Sequence, residues 1–351
     1  MKTANVPRRN KMRHRTSGLV FMLIMLGIAG ASAGVAVYTN YASDASEAGL
    51  QEALSIVPSD CEFVLGVNVQ KIVLSPAYEK FRQRQDQRMG SQMTEFMEKT
   101  GLDPARDVFY LVAAARSISL PVSGASAEKT SGKGVVVITG RFNGSAIADF
   151  IRSKTTPIEM KYEGQSILLI PESNKETADK GIVFLSDREV ALGDLESLKA
   201  VLDVRETGKP GISSNLTMTH LINGIGPDEM VWFAGDTSRV LAKAPTTTPL
   251  GENIATIQNI VGALSITEAV TGRITATVIN ADSAVKLADV GRGFVALAQL
   301  AGDKNPDLKT LLSGLRVSQN DTQVSVAVDF PIDLLDKLGS LRKLPEKTIG
   351  N

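Results

Sequence analysis

Apolar positions along this chain fall into three patterns. There is one unbroken run near the start, then short alternating runs, and then stripes at spacings of three and four. The unbroken run is Gly18–Tyr38, which carries no charge. A bilayer core of ~30 Å takes about 20 apolar residues in a helix, so this run is long enough to span. Alternation begins at Phe63, Leu65, Val67 and Val69, which predicts a strand. Further β-rich runs are Val108–Ala115, Gly134–Phe142, Ile158–Tyr162, Ser166–Ile170, Gly181–Leu185 and Glu189–Leu192. They continue at Met230–Ala234, Ile260–Thr267, Gly272–Ile279, Leu315–Ser318 and Gln323–Phe330.

Helical spacing fills the gaps. Ser75-Pro76 supplies an N-cap and a first helical position, and the helix it opens runs to about Thr100. Its apolar stripe is Tyr78, Phe81, Met89, Met93, Phe96 and Met97. Such a stripe packs a helix on a sheet. Methionines also line adaptable grooves, so Met89, Met93 and Phe96 are the candidate walls of an apolar ligand site. Ser145–Lys154, a helix capped by Asp194, and Ser283–Leu300 follow. Pro331 opens a last helix with Leu334, Leu335, Leu338 and Leu341 inward. Ser117–Lys133 is small and polar, which predicts a loop.

These patterns predict an α+β protein with an N-terminal transmembrane or signal helix, then two related antiparallel sheet-plus-helix halves. The expected divisions are a cytoplasmic basic segment 1–17, the span 18–38 and a juxtamembrane linker or helix 39–56. A first half 57–205, a linker 206–214, a second half 215–344 and a tail 345–351 complete the chain. The relation between halves rests on a shared order of elements: strand into helix at Val135–Asp149 and Ile274–Asp289, then a hairpin ending in proline at Tyr162–Pro171 and Ser318–Pro331. A common layout would bury Val136, Ile138, Ile147 and Phe150 like Thr275, Thr277, Val285 and Ala288.

Charge sets the orientation. Lys2, Arg8, Arg9, Lys11, Arg13 and Arg15 precede the span, and the first acidic residue is Asp44. This asymmetry holds the N-terminus in the cytoplasm and sends the rest outside. The run contains Ala31-Ser32-Ala33, a cleavage pattern for signal peptidase, yet apolar residues continue through Val37. The chain is therefore expected either as a single-pass membrane protein, periplasmic in bulk if Gram-negative, or secreted after cleavage behind Ala33. Gly30 and Gly34 have the spacing that lets two membrane helices approach, so a homodimer through the span is a candidate contact. All 38 acidic residues follow the span, against 32 of the 38 basic ones, a formal charge of −6 on the exported part. That field opposes nucleic-acid binding.

Catalytic chemistry is sparse. Cys61 is the one cysteine, so no intrachain disulfide forms. His220 is the one histidine after the span, and it lies in an apolar helix without a partner constellation. Zinc sites draw on several Cys, His or carboxylate ligands. Ser283-Ala-Val-Lys286, Ser318-Gln-Asn320 and Lys99-Thr-Gly101 match fragments of the penicillin-binding motifs in the wrong order. No phosphate loop is present. No cofactor or metal is expected, and carboxylates alone leave a hydrolase open.

Val57-Pro-Ser-Asp60, Gly66-Val-Asn68, Ser75-Pro-Ala-Tyr78 and Gly101-Leu-Asp-Pro104 resemble a set of uncharacterised exported bacterial proteins, across the first third of the exported part. That resemblance implies export and no activity. The expected function is a non-enzymatic, membrane-tethered interaction or scaffold module of the cell envelope, with an unidentified envelope protein as partner. A binder of an apolar ligand between sheet and helices is the alternative, and a carboxylate-dependent hydrolase the third.

Overall fold

A computed structural model describes residues 39–79, 91–117, 133–171, 180–225, 229–241, 249–302 and 306–334. The expected span, Gly30, Gly34, Met89, most of the Ser117–Lys133 loop and the last helix beyond Leu334 lie outside them. No described helix is long and apolar enough to cross a membrane.

The chain runs α1 (Thr39–Ser55), β1 (Phe63–Asn68), α2 (Val69–Val73), α3 (Ser91–Thr100), α4 (Pro104–Asp107), β2 (Val108–Ser117), β3 (Lys133–Gly140) and α5 (Gly144–Lys154). Next come β4 (Ile158–Tyr162), β5 (Gln165–Ile170), β6 (Lys180–Phe184), β7 (Glu189–Asp194), α6 (Leu195–Thr207) and α7 (Leu216–Asn223). The remainder is β8 (Val231–Asp236), α8 (Ser238–Leu241), α9 (Pro249–Ile254), β9 (Ile257–Ile266), β10 (Ala269–Val278), α10 (Ala281–Gly302), α11 (Pro306–Ser313), β11 (Leu315–Asn320) and β12 (Gln323–Pro331). Local chemistry fixes several ends. Asn143, Asp194, Asn215 and Asn280 each accept a backbone N–H of the first helical turn, as side-chain caps do.

The twelve described strands form one antiparallel sheet, in the order β11-β12-β10-β9-β8-β1-β2-β3-β7-β6-β5-β4, and with the helices on it make an α+β fold. The two halves meet where β1 pairs with β8, Gly66 opposite Trp232. Residues 206–214 are mostly exposed, but Ile212 is buried in the first-face core and its N–H donates to the Val57 carbonyl at 2.7 Å.

Successive strand residues point to opposite faces. On the first face, Val64, Val112, Val137 and Ala191 form a core with residues of α6 and the C-terminal end of α1. Helix α1 comes so close at Gly49 that a Cβ there would lie 2.6 Å from Thr139 Oγ1. On the second face, Val67, Leu111, Ile138 and Val190 pack with Phe96 of α3 and with Ile147, Phe150 and Ile151 of α5. In the second half the first face turns polar, with Thr271, Arg273, Thr275 and Thr277 along β10. There the Thr275 and Ser325 hydroxyls share a hydrogen bond at 2.8 Å.

That last fact corrects one expectation. Thr275 and Thr277 are only half-buried and Val285 is exposed, while Ala276, Val278, Ala284 and Ala288 form the buried set. Val136 is half-buried. Taking Thr275 and Thr277 as the inward positions of β10 is a slip of one residue, which in a strand exchanges the two faces.

Two buried groups predict an alkaline limit. Burial pushes the Cys61 thiol up to about 12, Asp60 adding to it and Arg116 opposing. Burial likewise pushes the Tyr110 hydroxyl up to about 12, against the hydrogen bond from Trp232. The unfolded chain releases these protons near the ordinary values of 9.0 and 10.0, the folded chain only later. Stability should therefore be full below about pH 9 and fall as pH rises toward 12. Urea midpoints across that range should show the fall, and Cys61→Ala should remove the part that begins first.

Candidate interaction surface

The sequence-predicted ligand walls are core residues where they are described. Phe96 is buried and meets Phe150 edge-on, ring centroids 5.1 Å apart. Met93 is half-buried beside the same core. The cavity that Phe96 lines measures about 30 Å³, against the ~300 Å³ or more of small-molecule sites. His220 is exposed on α7. Its replacement by alanine should move the urea midpoint by less than about 0.5 kcal/mol equivalent. Among the described residues no group of three His, Cys, Asp or Glu could hold a metal.

A polar cleft of about 630 Å³ opens beside α4, lined by Arg106, Asp107, Arg141, Asn143, Asp187 and Arg188. Much of its charge is already engaged. Arg106 grips Asp107 with two bonds of 2.7 and 2.9 Å, and Arg188 reaches Glu52 at 3.2 Å. Asn143 caps α5 on the same wall.

The more unusual surface is apolar. Helix α10 carries two stripes at spacings of three and four. Ala284, Ala288, Gly291, Val295 and Ala298 are buried or half-buried, and the first two pack with Val278 of β10 and Val324 of β12. Leu287, Val290, Phe294 and Leu297 form the second stripe. It starts half-buried, with Leu287 against the cluster that includes Ile257, and ends with Phe294 56% and Leu297 65% exposed. A polar side holds the pairs Lys286–Asp282 and Arg292–Asp289.

The floor beside this second stripe is the second face of β10, β9, β8 and β1. Strand alternation aligns Ile274, Ile260, Leu264, Phe233, Leu65 and Phe63 there. Ile274 is 45% exposed and the others are half-buried. Phe63 and Phe233 stack across the join of the halves, centroids 5.6 Å apart. The floor residues belong to both halves, so the strip exists only because the sheet is continuous. The sequence held one overlooked signal, the second stripe of α10. The floor could not be read, because it needs the β1–β8 pairing between strands far apart in the chain.

No family model and no curated protein sequence matches this chain. Solved structures of TP0453 are similar in arrangement. Crystal form III has a TM-score of 0.44 at 10% identity, covering 82% of this chain and 98% of that one. Crystal form IV has a TM-score of 0.43 at 10% identity, covering 82% and 96%. Likeness at this level carries no functional argument.

Proposed function

We propose that this chain is a non-enzymatic, membrane-tethered extracytoplasmic interaction module whose apolar strip receives a partner polypeptide. One observation carries the reading: Phe294, Leu297 and Ile274 leave large apolar groups open beside a floor shared by both halves. Contiguous exposed apolar surface marks interaction sites on soluble domains. Membrane tethering rests on the basic segment 1–17 and the uncharged run that follows. A related origin of the two halves is part of the proposal. It is supported by the run β1-β2-β3-β7-β6 beside β8-β9-β10-β12-β11. The expected match of the Tyr162–Pro171 hairpin (β4–β5) with Ser318–Pro331 (β11–β12) does not hold, since β12 pairs with β10 whereas β3 pairs with β7 and β4–β5 lies at the sheet edge; in this alignment β6–β7 takes the place of β11–β12.

A photoreactive residue at Leu297, in cells, tests the reading. It should give a discrete adduct with another polypeptide, lost when Phe294 is changed to Asp. A probe at Thr275, on the polar face, should give none. Equal labelling from both positions, or no protein adduct at Leu297 in a folded protein, would sink the proposal. The second reading, an apolar ligand in the same strip, is favoured by Leu65, Phe233, Ile260 and Leu264 being only half-buried and Ile274 exposed. It predicts a small apolar molecule co-purifying with the parent and absent from Ile274→Asp.

A further inference from the structure

We infer that the chain pairs with a second copy of itself through the outer edge of β11, joining two sheets into one across a two-fold axis at Val317. The inference is independent of the apolar strip and of any contact through the uncharged run 18–38. The described sheet ends in β4 on one side and β11 on the other, and the two edges differ. Strand β4 follows Pro157 and carries Lys161 and Glu159, the latter held by Arg152 at 2.7 Å. Such charges and prolines blunt an edge against further pairing. Strand β11 has no proline, no bulge against β12 and one charge, Arg316. Among the described residues, no strand pairs with its outer side.

The ladder fixes which groups that edge offers. The Gly314 carbonyl accepts from the Asp329 N–H. By alternation Arg316, Ser318 and Asn320 also bond to β12, while Leu315, Val317 and Gln319 turn N–H and C=O outward. A second β11 laid antiparallel satisfies these groups with Val317 opposite Val317 and Leu315 opposite Gln319. A two-fold axis normal to the sheet keeps each side chain on its own face, so a shift of one residue is excluded. Centring on Ser318 instead would oppose groups already bonded to β12. The Val317 register also sets Arg316 against Ser318 of the second copy, so the one charge does not meet its like.

Helix α10 supports the same axis. It lies over β11 and β12, and a Cβ on Gly291 would stand 3.4 Å from Val317 Cγ1. Strands ~4.8 Å apart put the axis ~2.4 Å outside β11. The two α10 helices then lie about 10 Å apart, close to the ~8–10 Å of packed helices. Leu287 faces Ile257 on the β9 side, so the other flank of α10, with Asp289 and Arg292, faces the axis. Helices related by a two-fold near Gly291 bring Asp289 of one copy beside Arg292 of the other. Both side chains are exposed and pair within the helix at 2.8 Å, and the interface lets them exchange partners between copies.

Disulfide trapping in cells tests this with two tagged copies of the full chain, both carrying Cys61→Ala, which removes the one native thiol. One copy bears Arg316→Cys and the other Ser318→Cys. Opposed residues that exchange no bonds stand ~4.5 Å apart at Cα, within disulfide reach. Position 316 of both copies, or 318 of both, is a diagonal pair at ~7–8 Å, beyond it. Mild oxidation should link the mixed pair at about tenfold the yield of either copy with itself. No covalent dimer, or equal yields in the three combinations, overturns the inference; a dimer held only through the run 18–38 would give equal yields. A second measurement breaks the edge. Val317→Pro removes an outward N–H that β12 does not use, so Trp232 emission should be unchanged while the mixed link falls about tenfold. Gln319→Pro, which removes the next outward N–H, serves if Val317→Pro does not fold. An undiminished link in a folded variant overturns the inference. For the helix contact, a copy with Asp289→Arg should associate with a copy with Arg292→Asp several-fold better than either does with itself, and equal association overturns the inference.

Discussion

Gly66→Ala should cost about 2–6 kcal/mol, a large part of the stability of an ordinary domain. A Cβ at position 66 would stand 2.1 Å from Cε2 and 2.3 Å from Nε1 of Trp232. The indole cannot give way cheaply. It is buried, and its N–H donates to the Tyr110 hydroxyl at 2.5 Å. Overpacking of this kind costs ~1–3 kcal/mol, and pulling the indole from Tyr110 leaves buried polar groups unpaired for another ~1–3. The contact links β1, β2 and β8 at the join of the halves, so the loss should loosen the strip as well. Trp232 is the one tryptophan, and its emission reports directly. A red shift with a lower urea midpoint is expected; an unchanged midpoint would mean the indole has room that the geometry denies. Tyr110→Phe removes the hydrogen bond without the clash and should cost only ~1–3 kcal/mol.

Phe96→Ala should cost a similar ~3–5 kcal/mol, for a different reason. The ring is fully enclosed and packs edge-on against Phe150. Removing it deletes buried apolar contact and leaves a hole that the sheet above cannot collapse into. The existing cavity of about 30 Å³ lies against the same ring. The two would merge into a dry apolar space on the order of 100 Å³, the scale at which engineered cavities take up benzene. Benzene should therefore raise the unfolding midpoint of the variant and leave that of the parent unchanged. Failure of benzene to rescue, with the destabilisation present, would show that α3 and α5 close over the gap.

Much of the secondary structure was legible because its causes are local. Asp194 accepts the Ser197 N–H and opens α6 where the cap was expected. Glu163 and Gly164, both at positive φ, turn the β4–β5 hairpin between alternating runs. Strands β1 and β3 were legible from a period of two, but not their buried face: Val64, Val135 and Val137 are buried while Phe63, Leu65 and Val136 are half-buried, because helices cover the sheet on both faces there. By contrast, the face assignment of β10 failed on Thr275 and Thr277, since threonine and alanine give little hydrophobic contrast and register is set by the neighbours β9 and β12. Helix α10 was recognised, but not its second stripe, whose meaning depends on what lies beside it. The residues 206–214 read as a linker from Gly208, Pro210 and Gly211, yet Ile212 is buried against the first-face core.

The sequence alone determined the local elements, the caps and turns, the formal charge of −6 after the uncharged run and the single cysteine. These follow from each residue and its near neighbours. Only the tertiary structure decided that β1 and β8, some 170 positions apart in the chain, lie edge to edge in a single sheet. That pairing is selected by long-range fit: Trp232 over Gly66, capped by Tyr110, on one face, and Phe63 against Phe233 on the other. No periodicity within either half specifies it. The apolar strip is a product of that joint, because its floor draws on both halves at once.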